Sequence, residues 1–206
     1  MALRTHGIHP PIIMFKLYTL FHENEIPPLT LERYMRLLPP ERKAKAQRFR
    51  KAIDRTNCVL GYLLLQYGLY QNYGIYNPII TYQTFGKPYL YDYPDIHFNI
   101  SHCSKGCICA ISDVPVGIDI QEIRPFSRSI AEHCCTKEEL DHLDLSETPD
   151  TEFSKIWTMK ESYLKMKGTG IIYDLRAIDT TKLQDKISVF QQQGCYIAFT
   201  SAERFL

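Results

Sequence analysis

Residues 56–73 narrow the folds open to this chain more than any other segment. Their run Cys58-Val59-Leu60-Gly61-Tyr62-Leu63-Leu64-Leu65 is apolar on nearly every side. That pattern predicts a helix buried on several faces, which other elements must cover. A membrane is not the cover, because no apolar run in the chain approaches the roughly 18 residues that span a bilayer. Short strand candidates are available instead at 14–20, 80–83, 96–100, 106–112, 116–121, 187–191 and 195–200, punctuated by Gly, Pro and Asp. Further helices are predicted at 129–134, 137–143 and 152–167, with a helical hairpin over 29–53 that Pro39-Pro40 breaks. The order of strand, helices and strands thus occurs twice. It predicts an α+β fold of two packed halves, 14–115 and 116–206, behind an N-terminal extension at 1–13. The halves show no residue-level repeat and no low-complexity linker joins them.

Charge excludes one class of function. The 206 residues carry a formal net charge of +1, so no global signature for nucleic acid is present and basic chemistry must come from local clusters. The 14 tyrosines argue against disorder. The seven cysteines lack the paired spacing of a zinc site, and they read as small buried residues of a reducing compartment. No signal-peptide core precedes the first strand, so a cytoplasmic protein is expected.

Chemistry concentrates in four stretches. In Trp157-Thr158-Met159-Lys160-Glu161-Ser162-Tyr163-Leu164-Lys165, Glu161 and Lys165 share a helix face, with Lys160 next door. A carboxylate among ammonium groups suits a metal ligand beside a phosphate-binding pair. The glycines of Lys167-Gly168-Thr169-Gly170-Ile171 let backbone approach a ligand. In Gly117-Ile118-Asp119-Ile120-Gln121, strand alternation puts the isoleucines in the core and presents Asp119 and Gln121 together. Two oxygen donors there suit Mg2+, although an ordinary polar strand face would look the same. Phe98-Asn99-Ile100-Ser101-His102 delivers a hydroxyl and an imidazole, better placed for phosphate or ribose than as a nucleophile and its base; a turn serine with a packed histidine is the plain alternative. Phe85-Gly86-Lys87-Pro88-Tyr89 reads as a turn with Lys87 exposed at its tip. The basic residues Arg42, Lys43, Lys45, Arg48 and Arg55 fit either a solvated helix face or a phosphate clamp.

In order and rough spacing, Gly86-Lys87-Pro88, Phe98 to His102, Gly117 to Ile120 and Trp157 to Ser162 resemble the 4'-phosphopantetheinyl transferases. The likeness is to the surfactin-synthetase-activating type and runs from about residue 14 to about residue 200. It implies two pseudo-symmetric halves, a coenzyme A site in the cleft between them, and a monomer. It also implies an enzyme that moves the phosphopantetheine arm of coenzyme A to a serine of an apo acyl- or peptidyl-carrier protein, of fatty-acid, polyketide or peptide-synthetase origin. Holo carrier and adenosine 3',5'-bisphosphate would be the products. A coenzyme A-binding regulatory module without transferase activity is the alternative.

By the same resemblance, Asp119 and Glu161 ligate Mg2+, or Mn2+ in its place, with Gln121 standing where the family usually has glutamate. Glu161 accepts the serine proton, and Lys160 and Lys165 hold pyrophosphate oxygens. Ser101, His102, Arg55 and Lys45 or Arg42 take the 3'-phosphate, while Gly86, Lys87 and Pro88 lie against the adenine. The surface over 124–143 would meet the carrier, with Phe126, Ile130 and Leu140 as apolar candidates.

Overall fold

A computed structural model describes residues 14–22, 26–170, 174–183 and 185–203. The extension at 1–13 lies outside the described residues, as does Ile171. The elements, in chain order, are β1 (Phe15–Phe21), α1 (Pro28–Met35), α2 (Pro40–Gln47), α3 (Ala52–Tyr73), β2 (Ile80–Tyr82), β3 (Pro88–Leu90), β4 (His97–Cys103), β5 (Gly106–Ser112), β6 (Val116–Glu122), α4 (Arg128–Cys134), α5 (Lys137–Leu145), α6 (Pro149–Lys167), β7 (Ile187–Gln192) and β8 (Cys195–Ser201). Two short 3-10 turns, Leu175–Ala177 and Thr180–Leu183, link α6 to β7. The mixture is α+β, as expected.

The strands form two antiparallel three-stranded sheets, β1-β5-β4 and β6-β8-β7, and a small β2-β3 hairpin. Strand β5 is buried along its whole length, and its alternation shows why. Ile108 and Ala110 face one way into a core shared with Val116, Ile118, Ile120, Cys195 and Ile197 of the second sheet. Cys109 and Ile111 face the other way, against Leu65 and Leu69 of α3. The long apolar helix is therefore covered by the first sheet, and that sheet by the second. Cys103, Cys109 and Cys195 help fill this interior as free thiols. Helix α3 stops at Gly74, whose φ of 67° supplies the left-handed C-terminal turn.

Helix α6 lies across β6 and β8, opened by Pro149 in its first turn. Gly117 permits the close approach. A Cβ there would stand 2.0 Å from the Ser162 carbonyl oxygen and 2.2 Å from the Met166 nitrogen. Both are backbone atoms of α6, so no side chain can turn aside.

Two expectations need correction. Strand β3 was not foreseen, because it is three residues long and opens on a proline. Lys87, expected at an exposed tip, is instead drawn inward by that hairpin. Its Nζ donates to the Met166 carbonyl at 2.6 Å and the Val116 carbonyl at 3.3 Å.

Candidate active site

The two sheets meet edge to edge along β4 and β6, and side chains replace a backbone ladder at the seam. The Ile118 amide donates to Asn99 Oδ1 at 2.9 Å and the Ile120 amide to Ser101 Oγ at 3.3 Å. Alternation on β4 puts Asn99 and Ser101 on this side together. Ser101 then donates to Asp119 Oδ1 at 2.7 Å and accepts from Lys165 Nζ at 2.9 Å. Lys165 closes the group with an ion pair to Asp119. The carboxylate of Asp119 is 1% exposed, and its second oxygen accepts from Gln121 Nε2 at 2.9 Å. Asp119 and Gln121 do share a face, with Ile118 and Ile120 in the core behind them.

Glu161 stands one helical turn before Lys165 on α6, half-buried. Burial pushes its carboxyl above the usual range and the negative field of Asp119 adds to the effect, while Lys165 opposes it. Two carboxylates that feel each other's charge, beside an amide, match the hard oxygen donors Mg2+ takes. Among the described residues no three His, Cys, Asp or Glu side chains converge as a metal site. A cation here would rest on Asp119 and Glu161 and complete its shell from Gln121, water or substrate oxygens, a set that Mg2+ accepts.

This cluster opens on a cleft of about 310 Å³ whose lining includes Gly86, Lys87, Pro88, Asn99, Glu161 and Lys165. The structure thus brings the Gly-Lys-Pro turn to the same cavity as the α6 residues. Gly86, Gly168 and Gly170 bend around it with φ of 82°, 70° and 63°. Burial lowers the Lys87 ammonium to about 8. Its two carbonyl partners include one in the last turn of α6, where a cation is favoured by the helix dipole.

The other candidates scatter. His102 alternates to the opposite side of β4 from Ser101. Its pKa is lowered by burial and by the Lys165 charge, against the pull of Asp54 and Asp119. Arg42, Lys45 and Arg48 line a separate cavity of about 360 Å³ with Tyr62 and Tyr82. Both Arg42 and Lys45 donate to the Tyr82 hydroxyl, at 3.3 and 3.2 Å, and the Arg42 guanidinium lies 4.8 Å from the Tyr62 ring centre. Arg55 donates to the Phe49 carbonyl at 3.0 Å. The Nε atoms of Arg42 and Arg55 are buried without a partner, so each guanidinium has donor capacity left for an anion. Among the described residues no hydrogen bond joins Arg42, Lys45 or Arg55 to Ser101 or His102.

Lys160 does not join the cleft, contrary to expectation. It is 1% exposed, pairs with Glu139 at 2.5 Å, and donates to the carbonyls of Cys134 at 2.7 Å and Leu175 at 3.0 Å. Those three partners exhaust the ammonium. A legible signal existed: Ile156, Lys160 and Leu164 repeat at the four-residue spacing of one helix face, and all are buried. Glu139 was missed altogether, though Thr136 three residues before it is a capping-box signature, and the structure shows that box complete.

A protein-family model described as the 4'-phosphopantetheinyl transferase superfamily matches residues 115–202. The chain is 34% identical over 191 residues to 4'-phosphopantetheinyl transferase Sfp of Bacillus subtilis (strain 168), covering 88% of this chain and 85% of that protein. It is 30% identical over 175 residues to a second 4'-phosphopantetheinyl transferase of Bacillus subtilis, covering 82% and 77%. The 4'-phosphopantetheinyl transferase gsp of Aneurinibacillus migulanus is 35% identical over 157 residues, covering 73% and 65%.

Proposed function

Because this chain belongs to the 4'-phosphopantetheinyl transferase superfamily, we propose that it moves the 4'-phosphopantetheine arm of coenzyme A to a serine of an apo acyl- or peptidyl-carrier protein. The products are holo carrier and adenosine 3',5'-bisphosphate. The observation that carries this reading is the cluster of Asp119, Ser101, Lys165 and Glu161 where the β4-β6 seam meets the cleft.

In the reaction, the carrier serine oxygen attacks the phosphorus bearing the pantetheine arm. An oxygen–phosphorus bond forms, and the bond to the bridging oxygen of the pyrophosphate breaks, releasing the nucleotide. Such transfers are accelerated mainly by positioning and charge neutralisation. Glu161, half-buried on the wall of the cleft, takes the serine proton. Lys165 stands one turn away to meet the charge on the transferred phosphoryl group. Mg2+, held by Asp119 and Glu161 with Gln121 at its edge, would supply neutralising charge to the pyrophosphate when bound. Lys87 and the Gly86–Pro88 turn line the nucleotide side of the cleft. Arg42, Lys45 and Arg55 take the remote phosphate, and His102 joins them as a hydrogen-bonding partner. Ser101 serves by holding Asp119 and Lys165 together.

The halves 14–115 and 116–206 each supply one sheet and one long helix to this arrangement, with the nucleotide between them. For the carrier, Ile130 offers an exposed apolar contact on α4. Phe126 and Leu140 are partly committed to the core beneath, packed against the cluster of Ala131, Cys134, Cys135, Leu143 and Ile156. Seven free thiols accord with a reducing cytoplasm.

Mass spectrometry of apo carriers incubated with coenzyme A and Mg2+ tests the proposal. Covalent gain of the phosphopantetheine arm is expected on at least one carrier. Binding of coenzyme A with no modification across a panel of carriers would instead establish a binding module.

A further inference from the structure

Lys160 and Glu139 are each 1% exposed, yet they are charged and fully bonded. The Lys160 ammonium reaches the last residue of α4 through the Cys134 carbonyl and the first 3-10 turn through the Leu175 carbonyl. Glu139 Oε2 accepts from the Thr136 amide at 2.9 Å, at the start of α5. Its Oε1 accepts from the Thr180 amide at 3.0 Å and the Thr180 hydroxyl at 2.7 Å. One buried pair therefore ties α4, α5, α6 and both 3-10 turns to a single point.

A buried ion pair is weak evidence for stability, since well-packed apolar pairs often do as well. What it offers here is direction, through bonds to four separate backbone segments. The direction matters because Lys160 precedes Glu161. Neighbours on a helix project about 100° apart. Anchoring Lys160 at the back of α6 fixes the rotation of the helix, and with it the place of Glu161 and Lys165 opposite Asp119.

We propose that Glu139 is a positioning residue for the transfer, acting through Lys160 to set the rotation of α6 and so the geometry of the Glu161 carboxylate. This rests on the transferase reading above. The role differs from contact with pyrophosphate, which the buried ammonium cannot make without leaving all three partners.

The test uses the full chain carrying Lys160→Met or Glu139→Gln, with coenzyme A, Mg2+ and an apo carrier that the wild type modifies. The expected result is a fall in kcat of about 10- to 100-fold, the usual cost of a displaced supporting group. The dissociation constant for coenzyme A, measured in chelator, moves by less than about threefold. Amide exchange quickens at 134–136 and 175–180, while β4 and β5 keep their protection. A large loss of coenzyme A affinity in Lys160→Met would overturn the proposal in favour of direct contact. Wild-type kcat in either variant would overturn it outright. Should Lys160→Met fail to fold, Glu139→Gln carries the same expectation in milder form, because its amide oxygen still accepts from Thr180. If the wild type modifies no carrier, the transferase reading fails alone, and the exchange pattern with the coenzyme A titration still decides whether the pair orients α6.

Discussion

Replacing Gly117 with alanine should pry α6 off β6. The added carbon would stand 2.0 Å from the Ser162 oxygen, 2.2 Å from the Met166 nitrogen and 2.8 Å from the Met166 Cα. Carbon–oxygen contacts settle near 3.3 Å, so helix and strand must part by about 1.3 Å. Overpacking of this kind costs about 1–3 kcal/mol, and the upper end applies where backbone faces the intruder on both elements. For a chain of this size that is a drop of about 6–12 °C in melting temperature, at roughly 2–4 °C per kcal/mol. The displaced helix carries Glu161 and Lys165, and the strand carries Asp119. A misplacement of about 1 Å between reacting groups costs on the order of 100-fold in rate. Thermal unfolding by circular dichroism and initial rates of carrier modification read the two effects. Gly61→Ala is the milder comparison: its new carbon would meet the γ2 methyl of Ile100, at 2.8 Å, a side-chain atom and not the backbone of a second element. If Gly117→Ala melts within about 2 °C of wild type and keeps its rate, the packing argument is wrong.

Other expectations follow from the same geometry. Glu161→Gln should cut kcat by about 10²- to 10⁴-fold, as loss of a general base does, and a fall of less than tenfold would remove Glu161 from that role. Gln121→Glu removes a donor 2.9 Å from Asp119 and sets a like charge in its place. The variant should melt lower in chelator, by about 1 kcal/mol or more, and gain more from added Mg2+ than wild type does; equal melting curves with and without Mg2+ would refute this. For Lys87 the sign runs with burial, since its folded-state value of about 8 lies below the ordinary 10.5. The unfolded chain therefore binds more protons between those values, and stability rises with pH across that window. Wild type should gain on Lys87→Met between about pH 8 and pH 10 in urea titrations; a constant gap would show that the ammonium is not disfavoured in the fold.

Much of the architecture was legible because its signals are local. Alternation placed Ile118 and Ile120 inward and Asp119 with Gln121 outward, and the structure agrees. Helix α3 was read from its apolar run, though it begins at Ala52 rather than at 56. The errors came where distant parts of the chain decide. Turn chemistry predicts an exposed Lys87, but the hairpin folds onto the end of α6, and a Cβ at Gly168 would lie 2.8 Å from Lys87 Cδ. Lys160 was judged by its neighbour Glu161 instead of by its own helix face. Ser101 was expected on a remote phosphate, yet the β4-β6 seam, which no short pattern encodes, turns its hydroxyl to Asp119.

The separation of the sheets along the chain has a consequence for biosynthesis. Strand β1 finds its partner when Phe15 meets Ser112, so every strand of the first sheet is synthesised, and emerges, ahead of residue 116. The second sheet waits for β8, because Val116 pairs with Ser201. Between those moments the first sheet shows the nascent chain's surroundings the face that later packs on β6 and β8, including Phe15, Leu17, Ile108 and Ala110. At about 5–20 residues per second, the synthesis of residues 113–201 leaves that apolar face bare for several seconds. Slowed elongation over this stretch should therefore lower the soluble yield by prolonging the time in which two unfinished chains can meet.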